Sequence, residues 1–298
     1  MYLKMRWLGT ACFEFLLPSG KTLIIDPYVD DSVSSPISSD QFLACDYIFV
    51  THGHYDHVLD IGKLAQRFSP VIYCSTVTAQ SLEKHLSVDS ELIRTISAYD
   101  KITIEEIIVD VVPGLHVEFD AEYMRLTGKK SVPDPKNDDP FFVIKKGLKV
   151  MLGTDWLPEK MNEWMINFPQ GEQLNFVFKI PGCPRIYMAG TRPDSKIIDM
   201  ARHVNADITL LQVLPANTLT GMEEATVDLA IASGCKIVVP QHHDRLFKGA
   251  IQTDLSKFKQ LLAKKSKIRI QEFIPGKWYE FDSSGKNGKN FDILQVGN

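Results

Sequence analysis

The 298-residue chain has the composition of a folded globular protein, with 44% hydrophobic and 23% charged residues. Its 37 acidic and 33 basic side chains give a net charge of −4, which provides no overall positive field for nucleic acid or an anionic membrane. No apolar run reaches the roughly 18 residues of a membrane span, and the first 16 residues do not resemble a signal peptide. Five scattered cysteines without a C-x-x-C pair predict reduced thiols and a cytoplasmic protein.

Hydrophobic patterning predicts strands and helices in alternation along most of the chain. A first hairpin joins residues 5–16 to 21–25 through the turn Pro18-Ser19-Gly20, and further hairpins with glycine-containing turns are predicted over 141–153 and 174–190. The remaining predicted strands cover 47–50, 71–74, 102–112, 208–213, 236–239 and 268–281. Helices are predicted over 58–68, 79–85, 222–233 and 254–264.

This order of elements predicts an α/β (α+β) protein in which two sheets carry helices on their outer faces. No stretch resembles a linker, so we expect one domain over residues 1–298. Residues 117–139 are charged and lack a clear period, which predicts a long loop. The Gly-, Ser-, Asn- and Lys-rich residues 283–290 predict a mobile tail over 283–298.

A histidine-rich segment directly follows the strand predicted over 47–50. Residues 51–57 read Thr-His-Gly-His-Tyr-Asp-His and contain three of the eight histidines of the chain. Neutral imidazoles bind Zn²⁺ and related metals well, and a carboxylate adds negative charge for a second cation. A strand end followed by a tight loop presents such side chains to one cleft. The pattern therefore predicts a metal site, and the alternative is a solvated histidine-rich turn.

The sequence His52-x-His54-x-Asp56-His57 after a strand resembles the signature of the metallo-β-lactamase superfamily of metal-dependent hydrolases. Residues 24–27 (Ile-Ile-Asp-Pro) resemble its early strand ending in an aspartate, which supports the ligand loop. Residues 112–116 and 238–242 resemble the strand ends that supply its third and last histidines. The resemblance implies a four-layer αββα sandwich of the metallo-β-lactamase type. Within the superfamily, the chain looks most similar to the branch that contains ascorbate-6-phosphate lactonase.

The resemblance implies the following ligands: His52, His54 and His116 for a first metal, and Asp56, His57 and His242 for a second. One or two divalent ions are expected, with Zn²⁺ first and Mn²⁺ or Fe²⁺ as alternatives. Asp56 would orient the nucleophile and carry its proton. His243, beside His242, is a second catalytic candidate that would donate to a substrate or an oxyanion, and its alternative role is that of a polar neighbour.

One position departs from the family pattern. Residues 186–192 align with the turn in which the family carries a metal-bridging aspartate, but Thr191 stands in that place. Asp194 and Asp155 are two candidates for the missing carboxylate, and a centre without one is the third possibility. Because threonine is neutral and a poor ligand, we expect the second metal to bind more weakly than the metal of the three-histidine site.

The resemblance implies hydrolysis by a metal-bound hydroxide of a lactone or a phosphoester, with the lactone preferred. The expected partner is a small-molecule substrate. An anionic substrate is one option, and Arg192 is the candidate residue that would bind it. No membrane or nucleic-acid partner is expected, and a homo-oligomer is left open. Two alternatives are a binding or sensing module with an incomplete metal centre and a nuclease of the same superfamily.

An aromatic and methionine-rich stretch over residues 156–165 is a further helix candidate. It contains Trp156, Met161, Trp164 and Met165. Packing in the core is its first interpretation, and an apolar wall or lid of the active site is the second.

Overall fold

The computed structural model describes residues 2–118, 128, 142–214, 222–282 and 292–296. The strands in this part of the chain are β1 (Leu3–Trp7), β2 (Phe13–Leu16), β3 (Thr22–Ile25), β4 (Tyr47–Phe49), β5 (Val71–Cys74), β6 (Ile93–Thr95), β7 (Lys101–Ile104), β8 (Ile107–Pro113), β9 (Leu174–Lys179), β10 (Ile186–Ala189), β11 (Ile208–Gln212), β12 (Ile237–Gln241), β13 (Arg269–Ile270), β14 (Trp278–Asp282) and β15 (Asp292–Val296). The helices are α1 (Tyr55–Val58), α2 (Ile61–Phe68), α3 (Thr76–Leu86), α4 (Phe142–Met151), α5 (Met161–Asn167), α6 (Ser195–Ala201), α7 (Glu223–Ala232) and α8 (Ser256–Lys265).

The described strands form two sheets. One has the order β15-β14-β1-β2-β3-β4-β5-β6, and the other has the order β13-β12-β11-β10-β9-β8-β7. In the first sheet the strands are antiparallel from β15 to β3 and parallel from β3 to β6. In the second they are antiparallel from β7 to β10 and parallel from β10 to β13. Each sheet therefore has a parallel half whose strands end at the same edge.

Side chains that alternate along the strands build three apolar layers. Leu23 and Ile25 of β3 pack between the two sheets together with Phe176 of β9. Ile24, between them, packs against the helices on the outer face of the first sheet. A third cluster joins the second sheet to α6, α7 and α8. Two sheets face each other with helices outside, which confirms the predicted αββα sandwich.

The hairpin predicted over 141–153 is wrong, because residues 142–151 form helix α4. The β-branched residues on both sides of Gly147 favour strands, which led to the hairpin prediction. In the fold, however, the neighbours Gly147 and Leu148 are both buried, which a strand with one covered face does not allow. The packing of this face overrides the local preference. Helix α6 is an element that the sequence patterning did not predict.

The other predicted strands and helices have counterparts in the structure, with shifted ends. The hairpin predicted over 174–190 consists of the antiparallel strands β9 and β10. Apart from residues 117, 118 and 128, the loop predicted over 117–139 lies outside the described residues, as does most of the predicted tail. Asp292–Val296, within that tail, forms β15 against β14. None of the described helices is long and apolar enough to cross a membrane.

Candidate metal centre

The candidate ligands come from strand ends at one edge of the sandwich. His52 follows β4, His116 follows β8 and His242 follows β12. The strands β4 and β12 belong to the parallel halves of the two sheets, and β8 runs in the same direction as β10. Carboxyl ends of strands that run the same way meet at one edge, so residues far apart in the sequence converge there.

Gly53 allows the histidine-rich loop to pass close to the segment after α5. A Cβ atom at this position would lie 2.3 Å from the carbonyl oxygen of Pro169, which no real side chain tolerates. The amide of Gly53 donates to the carbonyl of Gln170 at 2.8 Å. His54 then has extended backbone and begins helix α1. The glycine thus sets His52 and His54 on the two sides of a fixed turn.

Asp26 anchors the histidine-rich loop through hydrogen bonds. Its fully buried carboxylate accepts hydrogen bonds from the Thr51 amide at 2.7 Å, the Thr51 hydroxyl at 2.7 Å and His57 Nδ1 at 2.8 Å. Asp26 has a φ of +47°, a left-handed conformation that aspartate adopts more readily than most residues. Since Nδ1 of His57 carries the proton toward Asp26, its Nε2 is left to bind a metal. This agrees with the supporting role expected for Asp26.

His116 is oriented by its own loop and by Thr191. Its Nδ1 donates to the carbonyl of Val117 at 2.8 Å, which again leaves Nε2 as the ligand atom. The buried hydroxyl of Thr191 accepts from the Leu115 amide at 2.8 Å and lies 3.2 Å from the Leu115 carbonyl. Thr191 therefore fixes the segment that carries His116.

The six predicted ligands lie in two groups, each compact enough to hold one ion. In each group, potential ligand atoms lie within 4.8 Å of one another: His52, His54 and His116 form the first group, and Asp56, His57 and His242 the second. The rings of His52 and His57 connect the groups, with centroids 4.0 Å apart.

His242 reaches the second group through an unusual backbone conformation. Its φ is +58°, and its amide donates to the carbonyl of Thr10 at 2.8 Å. In this position its Nε2 lies 3.3 Å from Oδ2 of Asp56, and Nε2 of His57 lies 3.6 Å from the same oxygen. The left-handed turn after β12 is thus what directs the last histidine to the site.

Burial and mutual repulsion keep the first group neutral. Burial, followed by the neighbouring imidazoles, holds the pKa of His52 well below its usual range. The same causes lower the pKa of His54 to about 3, and burial lowers that of His116 to about 4. Neutral imidazole is the form that binds a metal, so these three side chains are ready as ligands at neutral pH.

The second group contains an ionised carboxylate. Burial opposes the ionised form of Asp56, but His57 and His242 hold its pKa well below the usual range. Burial also opposes charge on His57, but the carboxylates of Asp26 and Asp56 raise its pKa. Asp56 is therefore a carboxylate at neutral pH. This gives the second group the negative charge that a divalent cation prefers.

The donor set fits a divalent metal. Nε2 of His52 is buried and has no hydrogen-bond partner, which is costly for a polar atom unless a ligand or ion satisfies it. A tetrahedral or octahedral ion with nitrogen and carboxylate ligands, such as Zn²⁺, Mn²⁺ or Fe²⁺, would satisfy that atom.

Neither acidic candidate for the missing carboxylate belongs to the two groups. Asp194 caps helix α6 by accepting from the Lys196 amide at 2.9 Å. Asp155 is exposed beside another cavity, and it follows helix α4 rather than a hairpin strand. Among the described residues that line the cavity above the centre, the acidic side chains are Asp56 and Asp244, and the sequence motif did not single out Asp244.

His243 lies on the other side of the backbone from His242. Its ring packs against Trp7 at a centroid distance of 4.9 Å, and it is not part of the described lining of the cavity above the centre. The left-handed turn at His242 directs that side chain to the cavity, whereas the His243 ring lies against Trp7. The catalytic role expected for His243 stays a prediction.

A cavity of about 240 Å³ opens above both groups. All six predicted ligands line it. The other polar side chains of the described lining include Gln170, Gln212 and Asp244, and its apolar side chains come mainly from α4, α5 and the segment around Leu246. Gln212 ends β11 opposite Gln241 and, like Asp244, carries no sequence signal beyond its place at a strand end.

Residues 8–139 match the model of the metallo-beta-lactamase superfamily. This part of the chain is therefore similar to the metallo-β-lactamase superfamily. A UPF0173 metal-dependent hydrolase from Koribacter versatilis is 35% identical over 82 residues, 28% of this chain and 35% of the relative. Another from Methanoculleus marisnigri is 24% identical over 279 residues, 93% of this chain and 96% of the relative.

The solved structures agree in fold. Igni18, a metallo hydrolase from the archaeon Ignicoccus hospitalis, matches this chain with a TM-score of 0.65 at 15% identity, covering 95% of this chain and 99% of that one. The superfamily resemblance expected from the histidine motif is confirmed, whereas the similarity to its lactonase branch stays a prediction.

We expect unequal binding of two metal ions because Thr191 carries no charge. The protein should keep one ion through dialysis and need added ion for the second, since two nearby cations repel without a bridging carboxylate. Thr191→Asp should strengthen the weaker site at least ~10-fold. Thr191→Asn, which has a similar shape and no charge, is the matched control. Metal titration of the three proteins checks this, and two equally tight sites in the wild type would contradict it.

Asp60 supports the loop after Asp26 and predicts a pH effect on stability. Its carboxyl accepts from the amides of Val29 at 2.6 Å and Asp30 at 3.2 Å, and burial raises its pKa from 3.8 to about 7. Folded Asp60 therefore keeps its proton where the unfolded chain has lost it, so this residue's contribution to the free energy of unfolding falls as pH rises from about 4 to about 7. Urea unfolding across this range should show the fall in the wild type, and Asp60→Asn should show a smaller fall. Identical pH profiles of the two proteins would refute the assignment.

Proposed function

We propose that this protein is a metal-dependent hydrolase. The observation that supports this most is the convergence of two compact ligand groups beneath one cavity, together with the buried and unpartnered Nε2 of His52. The names of the relatives from Koribacter versatilis and Methanoculleus marisnigri agree with such an activity. We assign His52, His54 and His116 to one ion and Asp56, His57 and His242 to the other, with Zn²⁺ as the first choice.

A divalent cation bound here would lower the pKa of a coordinated water and polarise the carbonyl or phosphoryl oxygen of the substrate. The protein's own side chains position the reactants. Asp56, ionised and 3.3 Å from His242, can accept a hydrogen bond from the attacking water and pass its proton to the leaving oxygen. Asp26 and the Val117 carbonyl hold the imidazoles of His57 and His116 in a single orientation.

The proposed substrate is a lactone or another carboxylic ester, and a phosphoester is the second candidate. The described lining of the cavity contains no lysine or arginine that could pair with a phosphate, and about half of its side chains are apolar. An uncharged ester suits such a lining better than a phosphate does. A cytoplasmic location is part of the proposal and is supported by the five free cysteines.

Hydrolysis assays with and without metal test this proposal. The purified protein is analysed for metal content and then assayed on γ-lactones and on bis(p-nitrophenyl) phosphate, before chelation, after it, and after adding back Zn²⁺, Mn²⁺ or Fe²⁺. We expect lactone opening that chelation removes and one of these ions restores. Activity that survives chelation would point to a different nucleophile. Preferential cleavage of the phosphodiester would favour the phosphoesterase or nuclease alternative, and tight metal binding without hydrolysis of any substrate would favour a binding module.

A further inference from the structure

One side of the cavity is an apolar wall, defined here by Leu148, Leu152, Met161, Met165 and Phe168. Leu148 and Leu152 are one helical turn apart at the end of α4, and Met161 and Met165 are one turn apart on α5. Such i, i+4 pairs share one face of a helix, so both helices turn an apolar face to the cavity. This wall continues across the cavity to Leu214 and Leu246.

The apolar wall is attached directly to the ligand loop. Trp164 of α5 stacks on Tyr55 with ring centroids 4.7 Å apart and an interplanar angle of 17°. Tyr55 stands between the predicted ligands His54 and Asp56. The segment after α5 accepts the amide of Gly53, and the Leu152 carbonyl accepts the amide of Ile251 at 2.9 Å. These contacts hold the wall at a set position beside the metal ligands, which lowers the entropic cost of binding a ligand there.

The chemistry of the wall suits a hydrocarbon group. Leu148, Leu152, Met161 and Phe168 are buried, but Met165 is only half-buried and lies at the cavity surface. Within the described lining, the acidic side chains are Asp56 and Asp244, and no cationic side chain faces the wall. A concave apolar surface with few polar groups at one end is typical of a site that binds an apolar ligand part and orients its polar end.

We infer that the apolar wall binds the aliphatic chain of an uncharged substrate and that Met165 determines how long a chain fits. The inference relies on the proposed function only for the position of the scissile bond. The cavity of about 240 Å³ is smaller than the ~300–1,000 Å³ of pockets for drug-sized ligands. It therefore fits a short or medium chain, and longer chains must extend past Met165.

Binding of 1-alkanols tests the inference without any hydrolysis. The full-length protein carries ¹³C-labelled methionine methyl groups and is titrated with 1-butanol, 1-pentanol, 1-hexanol and 1-octanol. We expect the methyl signals of Met161 and Met165 to shift, and the Kd to fall about fourfold per added methylene until the cavity is full. A Kd that does not depend on chain length, or shifts confined to other methionines, would overturn the inference.

Two tryptophan substitutions on one helix provide a matched pair. Met165→Trp places a larger side chain in the cavity and should raise the Kd for 1-octanol at least ~10-fold, monitored through the Met161 methyl group. Ile166→Trp makes the same kind of change at the next residue, which is 62% exposed and outside the cavity, and should leave the Kd unchanged. Equal effects of both variants, or no effect of either, would contradict a role for Met165. The wild-type alkanol series remains decisive if a variant does not fold.

The same chain-length series in hydrolysis separates this inference from the proposed function. For γ-lactones with alkyl substituents of increasing length, kcat/KM should rise with the substituent, and Met165→Trp should lower the ratio of long-chain to short-chain kcat/KM. Chain-dependent alkanol binding without any lactone opening would refute the proposed lactone substrate and leave the aliphatic site standing. Lactone opening without chain-dependent alkanol binding would support the proposed function and refute the aliphatic site.

Discussion

Replacing His54 with alanine is expected to reduce metal-dependent hydrolysis more than ~100-fold, beyond the ~10–100-fold typical of residues that only orient a ligand. His54 belongs to the three-histidine group and meets His116 at a ring distance of 4.5 Å. It is not part of the three apolar clusters of the core. The variant should therefore fold normally and lose the ion that the wild type retains through dialysis.

Metal content, hydrolysis rate and circular dichroism of the same preparation check this expectation. His203→Ala is the matched control, because His203 is an exposed histidine remote from the cavity lining. The control should keep both metal and activity. A folded His54→Ala protein with wild-type metal content and rate would show that the three-histidine group is not the metal site.

Asp26→Ala is expected to lower the free energy of unfolding by about 3–5 kcal/mol and to weaken metal binding ~10–100-fold. The substitution removes the acceptor of three hydrogen bonds of 2.7, 2.7 and 2.8 Å in a fully buried place. The Thr51 amide and His57 Nδ1 would then lie buried without a partner, which is the costly situation for polar groups. His57 would also lose the contact that fixes its orientation.

Urea unfolding and metal titration together test the Asp26 prediction. Asp46→Ala is the matched control, because Asp46 also accepts a backbone amide of the same sheet, that of Thr22 at 2.8 Å, but lies before β4 and away from the ligands. It should reduce stability moderately and leave metal affinity unchanged. If Asp26→Ala binds metal as tightly as Asp46→Ala does, the supporting role of Asp26 is wrong.

The apolar wall illustrates what sequence patterning could not supply. Residues 156–165 were expected to form an apolar helix, for which core packing and an active-site wall were both open. In the fold Trp164 is packed in the core against Tyr55, while Met165 lies at the cavity surface. Neighbouring residues of one helix can thus pack in the core or line the cavity. Which of the two a residue does depends on how the helix is placed relative to the ligand loop.

Sequence patterning alone predicts the histidine-rich loop and the class of fold. The motif from His52 to His57 is local, because one short segment after a strand can supply several metal-binding side chains by itself. The strand ends that carry His116 and His242 were recognisable for the same reason, as short segments resembling those of a known superfamily.

Long-range packing, in contrast, sets which side chains beyond the motif face the candidate metal centre. In the fold, His243 packs against Trp7, Thr191 accepts a hydrogen bond from the Leu115 amide, and Asp194 caps helix α6. Long-range packing also makes a helix of residues 142–151, where local propensity favours a hairpin. These outcomes depend on contacts between residues that are distant in the sequence. Such contacts outweigh the small propensities of single residues, so no local pattern encodes them.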